Sequence, residues 1–180
     1  MRLIPRELRR KQALLWLAAI VAGFGGAGVV GAGCGGSSAP QPPREWQTVR
    51  GSGFSFEAPA GWKVGRATNR VSATRGAELV QVATFSLLKP YDEKLFGRVA
   101  RELRARMEEI ATQTSGRLSG ERTVTAGGVR SHAYDVTAGK RADEYTFVFS
   151  GKREYLLLCR RQSPDGAGFC PRLVTSFARR

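Results

Sequence analysis

His132 is the single histidine of this 180-residue chain, and Ser131 and Asp135 beside it supply the side-chain types of a hydrolase triad. Successive side chains of a strand point to opposite faces, so Ser131 and Asp135 point away from His132, which lines up with Tyr134 and Val136. A triad completed by a distant serine and aspartate would lack the G-x-S-x-G elbow that exposes a nucleophile. His132 therefore reads as a structural or surface residue. The carboxylates stand mostly beside basic residues: Glu102 near Arg98 and Arg106, Glu108 near Arg104, and Asp143-Glu144 near Lys140-Arg141, pairings that suit a solvated surface. Glu108 and Glu109 are adjacent on a helix and point in different directions, unlike paired acids that share a substrate. No phosphate-binding glycine loop is present, and the glycines near Gly23 belong to an export signal. The thiols show no C-x-x-C spacing, and two cysteines with one histidine are too few for a zinc site. No catalytic, cofactor-binding or metal residue is assigned, and the chain reads as a non-enzyme.

The most informative chemistry lies at Cys34. Arg2, Arg6, Arg9, Arg10 and Lys11 form a basic head, and Ala13 to Val30 is an apolar stretch that becomes rich in small residues at its end. The segment closes on Gly31-Ala32-Gly33-Cys34, after which the chain turns abruptly polar. Positive-inside logic keeps the head in the cytoplasm and exports the rest of the chain beyond the apolar stretch. Gly31-Ala32-Gly33-Cys34 resembles a lipobox, with Gly31 standing where a large aliphatic residue is usual. The resemblance implies cleavage before Cys34 and a diacylglycerol on its sulfur, anchoring an extracytoplasmic protein to the cell membrane. Retention of the segment as a transmembrane anchor is the alternative, since about 20 apolar residues span a bilayer. Arg9-Arg10 leaves the export route open. With Cys34 assigned to lipid, Cys159 and Cys170 form an even pair in an oxidising compartment and are expected to be joined as a disulfide.

Residues 1–33 thus read as a signal peptide and residues 34–45, with their Gly, Ser and Pro, as a lipidated cysteine and flexible tether. Residues 46–180 then form a single domain of ordinary size. Formal net charge is +14; the segment up to Gly33 carries five basic residues and one acidic, so the remainder keeps 14 − 4 = +10. Such a charge favours anionic partners such as phospholipid head groups, acidic wall polymers or acidic protein surfaces. An anchored exported protein rarely meets nucleic acid, and no nucleic-acid motif is present, so none is expected as a partner.

The elements that must position these residues can be read from periodicity. Phe54-Ser55-Phe56 places two aromatics on one face of a strand that ends at the turn Pro59-Ala60-Gly61, and Trp62 opens the next segment. Val71 to Thr74 and Glu78 to Leu88 read as further strands. From Asp92 the period becomes helical, with Leu95, Phe96, Val99, Leu103, Met107 and Ile110 on one stripe. Arg117 to Ala126, Val129 to Ala138, Tyr145 to Ser150 and Glu154 to Arg161 read as strands, and short Gly-bearing connections make them an antiparallel meander. Tyr155-Leu156-Leu157-Leu158-Cys159 is apolar on both alternating faces, which requires cover on both sides. A C-terminal helix with Pro171 in its first turn and Phe169, Leu173, Val174 and Phe177 on one stripe would supply the second layer. The expected class is α/β, an antiparallel β-sheet sandwiched between helices.

This pattern resembles the PsbP-like superfamily. The resemblance rests on Phe54-Ser55-Phe56-Glu57-Ala58-Pro59-Ala60-Gly61-Trp62, on the long helix followed by a four-stranded meander, and on Ser176-Phe177 in the terminal helix. It implies an α-β-α domain over essentially the whole exported part and a non-enzymatic module that docks on other proteins, and it carries over no functional residue. The expected function is a membrane-tethered accessory module that binds another envelope component, most readily a protein. The alternatives are a basic domain that binds anionic lipid or cell-wall polymer, and an envelope hydrolase with His132 as its base.

Overall fold

The computed structural model describes residues 45–162 and 168–180. Cys34, the signal segment and the tether up to Arg44 lie outside them. The chain in the described part enters as β1 (Trp46–Gly51), folds back as β2 (Phe54–Pro59), and continues through β3 (Lys63–Ala67), β4 (Arg70–Arg75) and β5 (Glu78–Ser86). A 3-10 turn (Glu93–Leu95), whose start is capped by the Asp92 carboxylate accepting from the Lys94 N–H, leads into α1 (Phe96–Gln113). The meander β6 (Arg117–Ala126), β7 (Val129–Ala138), β8 (Arg141–Ser150) and β9 (Arg153–Arg161) comes next, then α2 (Phe169–Ser176) and the two-residue β10 (Ala178–Arg179).

Among the described residues ten strands form two antiparallel sheets. The larger has the order β3-β4-β5-β9-β8-β7-β6, and the smaller β1-β2-β10. The expectation of one sheet sandwiched between helices is thereby overturned: the fold is sheet-dominated, and the layer opposite α1 is built from the small sheet together with the short α2. The reason lies in β1. Trp46-Gln47-Thr48-Val49-Arg50-Gly51 carries one aliphatic residue and gives little periodic signal, yet it pairs with β2 along its whole length. β10 is equally invisible locally, being held by Ala178 and Arg179 opposite Ser55 and Phe54.

The meander forms as its turns require. Gly127 and Gly128 link β6 to β7 with φ of 56° and 78°, the two positive values a two-residue type I′ hairpin needs. Alternation along β9 then sorts two cores. Tyr155, Leu157 and Cys159 face Phe54, Phe56, Trp62, Phe169, Leu173 and Phe177 on the small-sheet side. Leu156 and Leu158 face Leu103, Met107, Ala111, Tyr134 and Phe147 beneath α1. All five residues from Tyr155 to Cys159 are buried, as a strand covered on both faces demands.

Candidate functional site

The open edge of the small sheet is where unsatisfied groups and charge converge. On its far side β2 is closed off, because β10 pairs with it and the Glu57 N–H donates to Ser176 Oγ at 2.9 Å. On the near side β1 pairs with β2 alone. The Ala60 N–H donates to the Glu45 carbonyl at 3.0 Å, so with antiparallel alternation Glu45, Gln47, Val49 and Gly51 bond inward. The backbone N–H and C=O groups of Trp46, Thr48 and Arg50 consequently point outward. Arg66 confirms the phase by donating from Nη2 to the Arg50 carbonyl at 3.4 Å.

Beside this edge runs a groove of about 500 Å³ lined by Trp46, Gln47, Thr48, Arg50, Ala60 and Arg66. A smaller cleft of about 210 Å³ shares Arg50 and Arg66 with it and adds Arg70. Among the described residues lining either cleft there is no carboxylate. Among the described residues, too, Arg50, Arg66 and Arg70 make no ion pair, whereas Glu57, the acid opposite Thr48 across the small sheet, is engaged by Arg172. Gln47 is fixed in place, since its Nε2 donates to the carbonyls of Pro59 and Trp62, each at 2.9 Å. The arrangement holds guanidinium donors beside free main-chain donors and acceptors, suited to an extended anionic ligand.

His132 lies elsewhere, under the start of α1. It is 4 % exposed and its ring stacks on Phe96 at 3.8 Å, with the Arg130 guanidinium 3.9 Å from the same Phe96 ring. Its Nε2 is buried without a hydrogen-bond partner, and burial pushes its pKa below the ordinary value. The Ser131 hydroxyl donates to the Val129 carbonyl at 3.1 Å, and Asp135 pairs with Arg122 at 2.5 Å. The structure therefore does not bring these three side chains together, and His132 is buried against an aromatic ring rather than displayed at a surface.

Cys159 and Cys170 are joined as a disulfide, with Cα atoms 5.5 Å apart, and the bridge ties α2 to β9. Among the described residues no three of His, Cys, Asp and Glu stand close enough together to hold a metal ion. No described helix is long and apolar enough to cross a membrane.

Two ionic groupings flank the meander, and one corrects the reading of Asp143-Glu144 as solvated. Asp143 is 2 % exposed and accepts from Arg160 Nε at 2.8 Å and Nη2 at 2.9 Å, with Arg141 at 3.5 Å. Glu144, on the opposite face, meets Arg122 at 2.8 Å, and Arg122 also bridges to Asp135. Gly120 makes room for this: a Cβ there would stand 2.6 Å from Asp135 Oδ2. The local charge pattern suggested surface pairing because Lys140 and Arg141 are adjacent in sequence; the decisive partner, Arg160, lies directly opposite Asp143 on β9. Tyr145 donates to Asp143 at 3.4 Å, and burial pushes its phenol up to about 12. Tyr134, which donates to the Ala100 carbonyl of α1 at 3.0 Å, is likewise pushed up by burial to about 12.

Sequence reasoning did not single out Trp46, Arg50, Arg66 or Arg70. No apolar alternation marks β1, since Val49 shares its face with Gln47 and Trp46 shares the other with Thr48 and Arg50. Nothing in the order of residues places position 66 beside position 50.

No protein-family model matches the chain, and no curated protein matches it. Among solved structures, the solution structure of cyanobacterial PsbP (CyanoP) from Synechocystis sp. PCC 6803 is similar, with a TM-score of 0.57 and 15 % sequence identity. The match covers 83 % of this chain and 98 % of that one. A crystal structure from Bacteroides thetaiotaomicron VPI-5482 is more distant, with a TM-score of 0.44, 10 % identity and coverage of 76 % and 49 % of the two chains. The first likeness shows a PsbP-like fold.

Proposed function

We propose that this chain is a lipid-anchored accessory protein of the bacterial cell envelope, a non-enzymatic module that binds another envelope protein through its cationic surface. The observation that carries the reading is the pair of adjoining clefts beside β1, where Arg50 and Arg66 line both, Arg70 lines the smaller, and no carboxylate lines either. Two further features support it. The Cys34 segment has the order of basic head, apolar run, small residues and cysteine that lipidation uses, and a disulfide such as Cys159–Cys170 persists in oxidising compartments. Crosslinking of the anchored protein in cells tests it directly. A defined neighbour should be recovered with the natural chain and lost with the double variant Arg50→Glu/Arg66→Glu; recovery of none with several crosslinker chemistries refutes the reading.

A second reading, association with anionic lipid or wall polymer, is favoured by Leu88. This residue is 89 % exposed beside Lys89, and the neighbouring Leu87 N–H donates to the carbonyl of a further cation, Lys152. An apolar tip rimmed by lysines suits a membrane surface. Sedimentation with anionic vesicles should then fall steeply as salt rises and should drop with Leu88→Asp; binding that ignores both removes this option.

A further inference from the structure

We propose that the partner is an extended acidic peptide segment that adds to the small sheet as a fourth strand along β1. The inference rests on the protein-binding reading above and names the class of partner and the way it is held. β1 is a sheet edge whose alternate backbone groups face away from β2: Trp46, Thr48 and Arg50 turn N–H and C=O outward, each separated by one residue, the spacing at which an incoming strand makes its ladder, and of these the Arg50 carbonyl is engaged by Arg66. The groove lies alongside these groups, with Arg66 of β3 on its other wall.

The other two exposed edges are guarded differently. β6, at one end of the large sheet, carries a register shift between Leu118 and Gly120 and is dressed with Arg117, Glu121 and Arg122. β3, at the other end, is only five residues long, and its Arg66 is turned toward β1, where it donates to the Arg50 carbonyl. Bulges, charge and shortness all deter strand addition. β1 has neither bulge nor mixed charge. Its only ionised side chain, Arg50, stands with Arg66 from the facing hairpin and Arg70 in the adjoining cleft. A second copy of this chain presenting the same edge would bring a second set of Arg50, Arg66 and Arg70 to one seam with no carboxylate in its lining, so self-pairing is opposed by like charge. A strand with carboxylates on one face would meet these guanidinium groups while its main chain paired with β1. The 3.4 Å bond from Arg66 to the Arg50 carbonyl is long, and the incoming N–H would replace it.

The test uses the full-length protein in nonionic detergent and a fluorescein-labelled decapeptide alternating Glu and Thr. Two further forms of the peptide are N-methylated, one on every Glu and one on every Thr, which removes main-chain donors from one edge or the other without altering charge. Fluorescence anisotropy should show saturable binding of the parent peptide and at least a tenfold loss for one of the methylated forms. Thr48→Pro, which removes an outward N–H not used in the ladder to β2, should weaken the parent by at least tenfold; if that variant does not fold, the methylated peptides still decide. Arg50→Glu/Arg66→Glu should weaken it as much. Equal binding of all three peptides overturns strand addition and leaves attraction of any polyanion, the vesicle or wall-polymer case. Absence of parent binding overturns it as well. A partner crosslinked in cells through the arginine groove would still stand in either event, whereas recovery of no partner sinks the broader reading.

Discussion

Breaking the bridge between Cys159 and Cys170 should cost this domain a measurable and calculable share of its stability. The two residues are 11 apart in sequence, and closing a loop of that length removes about 9 cal/mol/K of chain entropy from the unfolded state, or about 2.8 kcal/mol at room temperature. Unfolding entropy near 2.1 cal/mol/K per residue gives a domain of about 136 residues roughly 0.28 kcal/mol per degree, so the midpoint should fall by about 10 °C. The double variant Cys159→Ala/Cys170→Ala leaves two small vacancies, since each sulfur is buried, and its loss should therefore equal or exceed that figure. The assay is thermal unfolding followed by far-ultraviolet circular dichroism, with and without dithiothreitol. Reductant should lower the midpoint of the natural protein and leave the variant unmoved. Helix α2 should stay docked in the native state, because Phe169, Leu173, Val174 and Phe177 are packed under the small sheet irrespective of the bridge, but its amides should exchange faster than those of β8. A fall of less than about 2 °C, or unchanged exchange in α2, would refute the claim that the bridge constrains this element.

Three other perturbations concern buried or half-buried ionisable groups. Asp143→Ala should destabilise by about 3 kcal/mol in denaturant titration, because it strands Arg160 beside the core; the figure is at the low end for a buried pair, since the Arg160 side chain keeps 30 % of its exposure. The His132 pKa is lowered by burial, against opposing contributions from the Phe96 backbone and Glu121, so the unfolded state takes up its proton first as pH falls. Stability held above about pH 6.5 should be lost progressively below it, and His132→Phe, which keeps a ring against Phe96, should flatten that dependence between pH 7 and pH 5; parallel curves would contradict this. Burial raises the Glu154 pKa, so its contribution is complete below the ordinary carboxylate range and lost as pH rises through the folded value. Glu154→Gln should accordingly raise the thermal midpoint at pH 7 and leave it unchanged at pH 4.

The meander, α1 and the sorting of β9 into two buried faces were legible because each is written in local periodicity. Phe54 and Phe56 on one face, the stripe through Leu103 and Met107, and the glycines at 127 and 128 each state their element without reference to the rest of the chain. The disulfide was legible from the cysteine count once the Cys34 segment had led us to expect an exported chain, and the separation of His132 from Ser131 and Asp135 from strand alternation alone. What local pattern could not express was β1, which lacks an apolar period and forms because β2 supplies its partner. The same limit hid the nature of Asp143 and Glu144, whose neighbours in sequence are basic but whose burial is set by strands 17 residues away in the case of Asp143 and Arg160.

By itself, the order of residues determined the helical and strand periods, the turns, the net positive charge and the pairing of two sulfurs, since these depend on side-chain type and near neighbours. Tertiary structure alone decided that the second layer is a small sheet with a short helix, that Arg66 and Arg70 come to line clefts beside Arg50, and that one edge of that sheet stays open while the other is closed by Ser176 and β10. Those outcomes depend on hydrogen bonds and packing between segments far apart in the chain, which only the folded backbone brings within a few ångströms.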